Sequence, residues 1–137
     1  MNGSELVTDY EQWETLLLSQ VDKFVEASLH ESIVFGNIVR YVQSSSRDHS
    51  IEHIGPIVSD LDERWRIAIE RLRDDVERHF AAQDASFSRQ HVLKKVLMQL
   101  MLYYQRFVDV LSPLELQLPK PLVSVKTLMY EVKKHVS

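Results

Sequence analysis

The chain contains no cysteine, which excludes thiolate nucleophiles, disulfide staples and the Cys-rich zinc modules and leaves packing to supply the stability. Its 3 Gly and 4 Pro among 137 residues are too few for the many tight turns of a sheet, so composition favours helices. Nowhere do about 18 uncharged apolar residues run together, the length a membrane-spanning helix requires. Met1-Asn2-Gly3-Ser4-Glu5 offers no basic region leading into an apolar stretch, and neither a signal peptide nor a membrane span is expected. Clustered positive charge is scarce too. A formal net charge of −4 argues against duplex binding, because phosphate affinity comes from massed Lys and Arg releasing counterions.

Composition that is 45% hydrophobic and 26% charged is that of an ordinary globular protein, and the length suits one domain over residues 1–137. Charge is unevenly spread along it. Acids dominate from Met1 to Phe35, whereas Arg89, Lys94, Lys95, Arg106, Lys120, Lys126, Lys133 and Lys134 outnumber the acids from Ser88 onward. The two ends are therefore expected to attract each other or different partners.

Apolar spacing predicts an all-α antiparallel bundle of four to five helices. Thr8-Asp9-Tyr10-Glu11 has capping-box spacing, which places the first helix at about 8–43. Its stripe is Tyr10, Trp13, Leu17, Val21 and Phe24, then Phe35, Ile38 and Val42, and a break is expected near 28–32, where Ser28 to Ser32 are polar and Gly36 is close. Residues 43–50 are polar, Ser-rich and aperiodic, and read as a connection. Gly55-Pro56 then suits a helix start, since Pro at the first helical position gives up an N–H that would be unpaired anyway. That second helix, 56–81, carries Val58, Leu61, Trp65, Ala68, Leu72, Val76 and Phe80 on one face. Asp60/Arg64, Asp62/Arg66, Arg71/Asp75 and Asp74/Arg78 are spaced on it for i, i+4 pairing. A third helix, 88–111, is apolar around much of its circumference through Val92, Leu93, Val96, Leu97, Leu100, Met101, Tyr103, Tyr104, Phe107, Val108, Val110 and Leu111. A helix so greasy must be contacted from several sides. After Pro113 and Pro119-Lys120-Pro121, a last helix over 122–135 presents Leu122, Val125, Leu128, Met129 and Val132.

Catalytic constellations are nearly absent. His49-Ser50-Ile51-Glu52-His53 matches H-x-x-E-H, in which two His one helical turn apart ligate zinc and the Glu activates water. It abuts the Ser-rich connection and Gly55-Pro56, with no third ligand evident, so polar residues at a helix start are the better reading. A small metal-dependent hydrolase using His49, Glu52 and His53 is the rival that elemental analysis would decide. No G-x-S-x-G, phosphate-cradling Gly loop or paired carboxylates appear. No enzyme activity, metal or cofactor is expected. Tyr103 and Tyr104 beside Lys94, Lys95 and Arg106 could stack nucleic-acid bases, but they share helical spacing with Leu97, Leu100 and Phe107 and read as core. Trp13, Trp65 and Phe80 are likewise expected to be core aromatics.

Two strings are more specific: Val96-Leu97-Met98-Gln99-Leu100-Met101-Leu102-Tyr103-Tyr104-Gln105-Arg106-Phe107, and Leu128-Met129-Tyr130-Glu131-Val132-Lys133-Lys134-His135. This part of the chain resembles the C-terminus of the vacuolar protein sorting-associated protein 52 family, where an apolar helix with a Q-L-x-x-x-Y-x-R-F-like string is followed by a terminal L-M-x-E-L-K-K-H-like helix. Members of that family are much longer, so the chain reads as a fragment or a short relative. The resemblance implies a non-catalytic scaffold in the Golgi-associated retrograde protein complex and its endosomal counterpart, which tether endosome-derived vesicles at the trans-Golgi network and recycling endosomes. Implied partners are sibling subunits, a Rab-family GTPase and SNARE proteins, with peripheral membrane association through them. Of the family-like positions, Arg106, Lys133, Lys134 and His135 are the candidates for partner contact. A free-standing helical adaptor of unrelated family would show the same patterning.

Overall fold

A computed structural model describes the backbone of residues 3–44, 50–80 and 89–136, with side chains at 12 and from 18 onward within those segments except 115 and 116. Within them lie five α-helices and one 3-10 helix, and no strand: α1 (Gly3–Glu31), α2 (Phe35–Gln43), α3 (Ile51–His79), α4 (Arg89–Leu111), the 3-10 helix Ser112–Gln117 and α5 (Val125–Val136). They pack as a helical bundle.

Three helix starts differ from the sequence reading, each for a local reason. α1 begins at Gly3, ahead of the Thr8 capping box, because Glu5 and Leu6 are good helix formers and capping spacing cannot start a helix where the preceding residues continue it. α3 begins at Ile51, with the backbone N–H groups of His53 and Ile54 donating to the Ser50 carbonyl at 3.1 and 3.0 Å. Pro56 thus sits inside the second turn. It is tolerated because Ile54, fully buried one turn before Val58, extends the apolar stripe upstream of the proline. α5 begins at Val125 rather than 122, since Ser124 caps it by accepting from the Thr127 N–H at 3.0 Å.

The break after Glu31 is a tight corner. The Ser32 Oγ accepts from the Phe35 N–H at 3.2 Å, and the Arg40 guanidinium donates to the His30 carbonyl at 2.8 Å, capping the end of α1 from α2. Gly36 permits the close approach: a Cβ there would lie 2.5 Å from the His30 carbonyl oxygen.

α4 packs against α1, α2, α3 and α5. Val92, Val96, Leu97, Leu100, Tyr104, Phe107 and Leu111 along it are fully buried, each such large side chain contributing roughly 1.5–3 kcal/mol as an upper estimate. Facing them are Val25 and Leu29 of α1, Phe35, Ile38 and Val39 of α2, the Ile54 to Val76 stripe of α3, and Leu128 and Val132 of α5. Of the spaced charges on α3, Arg64 and Asp60 pair as expected, at 2.6 Å. Asp62 instead meets Lys120 at 3.7 Å, and Arg78 reaches Asp75 rather than Asp74.

Candidate interaction surfaces

α5 is amphipathic over its 12 residues, and its buried face decides which side chains remain for recognition. Leu128 and Val132, one turn apart, pack inward, leaving Lys126, Met129, Tyr130, Lys133 and Lys134 exposed. Two contacts clamp the helix. The Tyr104 phenol on α4 donates to the Val123 carbonyl just ahead of it, and burial pushes that phenol's pKa above its ordinary value. At the far end Arg73 of α3 lies 3.2 Å from the His135 Nδ1.

This last contact changes the part assigned to His135. Its side chain is only 9% exposed, and its Nε2 lies 4.0 Å from Glu131. With Arg73 donating to Nδ1, the hydrogen-bond pattern assigns the remaining ring proton to Nε2. His135 fastens α5 to α3 instead of facing outward. Spacing gives no hint of this, because the partner lies 62 positions away.

Lys133, Lys134 and Arg106 are exposed. Lys134 is engaged by its own helix, 3.4 Å from Glu131 and 4.8 Å from the Tyr130 ring centroid, contacts worth well under about 1 kcal/mol at such exposure. Lys133 and Arg106 make no ion pair among the described residues. Tyr130 is 66% exposed, and its ring beside Lys134 adds an amphipathic aromatic to the basic face.

The core aromatics lie elsewhere. Trp65, Tyr103, Tyr104 and Phe107 are buried, and Phe80 is half-buried edge-on to Phe24 at 5.1 Å. The Trp13 side chain falls outside the described residues. So does His49, while Glu52 and His53 are exposed in the first turn of α3 and the His53 ring lies 6.0 Å from that of Tyr41. Among the described residues no three His, Asp or Glu side chains are grouped so as to hold a metal ion.

A second surface was missed in the sequence. Met98 and Leu102 of α4 are 59% and 58% exposed, standing over a groove of about 670 Å³ between α4 and α1. Their i, i+4 spacing outside the core stripe is the signal that could have found it.

Comparison with known proteins gives two relatives. The chain is similar to vacuolar protein sorting-associated protein 52 A of Arabidopsis thaliana, 29% identical over 134 residues, and to vacuolar protein sorting-associated protein 52 B of the same plant, 27% identical over 134 residues. Each alignment takes in 90% of this chain but 18% of the relative, so the chain spans about a fifth of the length of the curated relatives it matches. The similarity bears out the resemblance carried by the α4 and α5 strings. No family model and no solved structure matches the chain.

Proposed function

We propose that this homologue of vacuolar protein sorting-associated protein 52 corresponds to the C-terminal portion of a tethering-complex subunit, serving as a non-catalytic protein-interaction scaffold in endosome-to-Golgi retrograde vesicle transport. The observation that carries this reading is the similarity to the two plant relatives along most of the chain. The bundle suits it: the apolar face of α4 is buried against the other helices, and recognition is left to outer faces such as Lys126, Tyr130 and Lys133.

Its partners in this reading are sibling subunits, a Rab-family GTPase and SNARE proteins, at the cytosolic face of the trans-Golgi network and endosomes. Membrane association is peripheral and runs through those partners. No described helix is long and apolar enough to cross a membrane.

The test is affinity purification of the chain, in its full-length natural context, from its own cells, followed by identification of what accompanies it. Recovery of sibling tethering subunits is expected, and their consistent absence would remove the reading. A Lys133→Glu/Lys134→Glu variant is expected to lose an acidic partner from the α5 face. Unchanged capture of every sibling and of the GTPase would discard that face while leaving the scaffold role intact.

A further inference from the structure

We infer that the groove between α1 and α4 is a docking site for an amphipathic helix of another polypeptide, one whose apolar stripe is bordered by acids on one side and bases on the other. The inference deepens the interaction reading above and rests on it for the identity of the assembly. Three observations carry it.

The first is apolar surface of the right form. Met98 and Leu102 are one helical turn apart and more than half exposed, and Val25 of α1 lies beneath them in the same groove. Large side chains at i and i+4 over an apolar floor are how grooves receive the i, i+3, i+4 anchors of a docked helix. Met adapts its shape to the incoming side chain.

The second is charge of opposite sign on the two walls. Lys94 and Lys95 stand on the α4 wall, Asp22 and Glu26 on the α1 wall. Neither lysine and not Asp22 forms an ion pair among the described residues, whereas Glu26 already accepts from the Tyr103 phenol at 2.9 Å. A helix with acids facing Lys94 and Lys95 and a base facing Asp22 would complete all three. The reversed direction would place like beside like, so the walls fix the direction in which such a helix lies and disfavour a helix basic on both flanks.

The third is size. The groove follows α4 from His91 to Leu102, about 17 Å at the rise of a helix, which accommodates about three turns of a partner. At about 670 Å³ it is a groove for side chains. These walls differ from the α5 face, whose exposed charges are lysines, so the two surfaces call for partners of different chemistry.

The experiment uses a synthetic helical peptide of about 15 residues with Leu at i, i+4 and i+7, Glu along one flank and Lys along the other. A second peptide carries Lys along both flanks, which sets Lys beside Lys94 and Lys95 in either direction of docking. Fluorescence anisotropy with the purified chain should show the matched peptide binding at least about tenfold more tightly than the all-Lys one. Met98→Glu/Leu102→Glu should abolish binding, and Lys94→Glu/Lys95→Glu should reverse the preference. Because all four side chains lie at the surface, circular dichroism and the unfolding midpoint should stay close to wild type. Equal affinity for both peptides, no affinity for either, or binding unaffected by Met98→Glu/Leu102→Glu overturns the inference. Purification of the Met98→Glu/Leu102→Glu variant from cells separates this failure from that of the proposed function. If wild type and variant capture the same siblings, the groove is wrong and the scaffold stands; if wild type captures none, the scaffold is wrong and the peptides still decide the groove.

Discussion

Tyr103 of α4 donates its phenol proton to Glu26 of α1 at 2.9 Å, while the same oxygen accepts from the Gln43 amide of α2 at 2.8 Å. One side chain, 5% exposed, therefore links three helices. Burial, and next the bond to Glu26, raise its pKa above the ordinary tyrosine value.

Tyr103→Phe removes both bonds while keeping the ring. A net hydrogen bond is worth about 1 kcal/mol, and both former partners are exposed enough to regain water, so the loss should be about 1–2 kcal/mol. Urea unfolding followed by helical circular dichroism measures it. A loss of less than about 0.3 kcal/mol would show that the phenol does not link the helices.

Alkaline pH should destabilise the fold through the same helix. The Tyr104 and Tyr103 pKa values are both raised from 10.0 in the folded state. Above about pH 10 the unfolded chain releases these protons while the folded chain retains them, so stability is fully present below the unfolded pKa and declines as pH rises. Unfolding free energy measured from pH 8 to pH 11 should be level at first and then fall. Tyr104→Phe should lower it by about 1–2 kcal/mol at pH 8, through the lost bond to the Val123 carbonyl, and make the alkaline decline shallower. An unchanged alkaline slope in the variant would contradict this account.

Gly36→Ala tests the corner between α1 and α2. Its new Cβ would lie 2.5 Å from the His30 carbonyl oxygen, a backbone atom that cannot swing aside. Overpacking of this kind costs about 1–3 kcal/mol, against which alanine returns about 1 kcal/mol of helix propensity. A net loss of stability is expected in thermal unfolding. A variant more stable than wild type would mean that the corner relaxes freely.

Phe107→Ala and Tyr130→Ala compare the two ends of the exposure scale. Phe107 is fully buried on α4 and packs edge-on against Tyr41 at 5.8 Å, so its truncation should cost about 3–5 kcal/mol. Tyr130, 66% exposed, should change stability by less than about 0.5 kcal/mol while weakening capture by the α5 face. Comparable losses at the two sites in chemical denaturation would contradict the burial assigned to them.

Periodicity was enough to place Leu97, Leu100, Tyr104 and Phe107 on one buried surface and to mark α4 as a helix contacted from several sides. Spacing along a chain maps directly onto angle around a helix, which is a local property. The α4 and α5 strings likewise led to the right relatives, because they are features of sequence alone. Orientation at the margins was decided elsewhere. His135 turns toward Arg73, Asp62 meets Lys120, and Met98 and Leu102 stand open beside Asp22 and Val25. Each of those outcomes depends on how helices distant in sequence lie against one another, and that arrangement follows from burying all their apolar faces at once, which no single segment encodes.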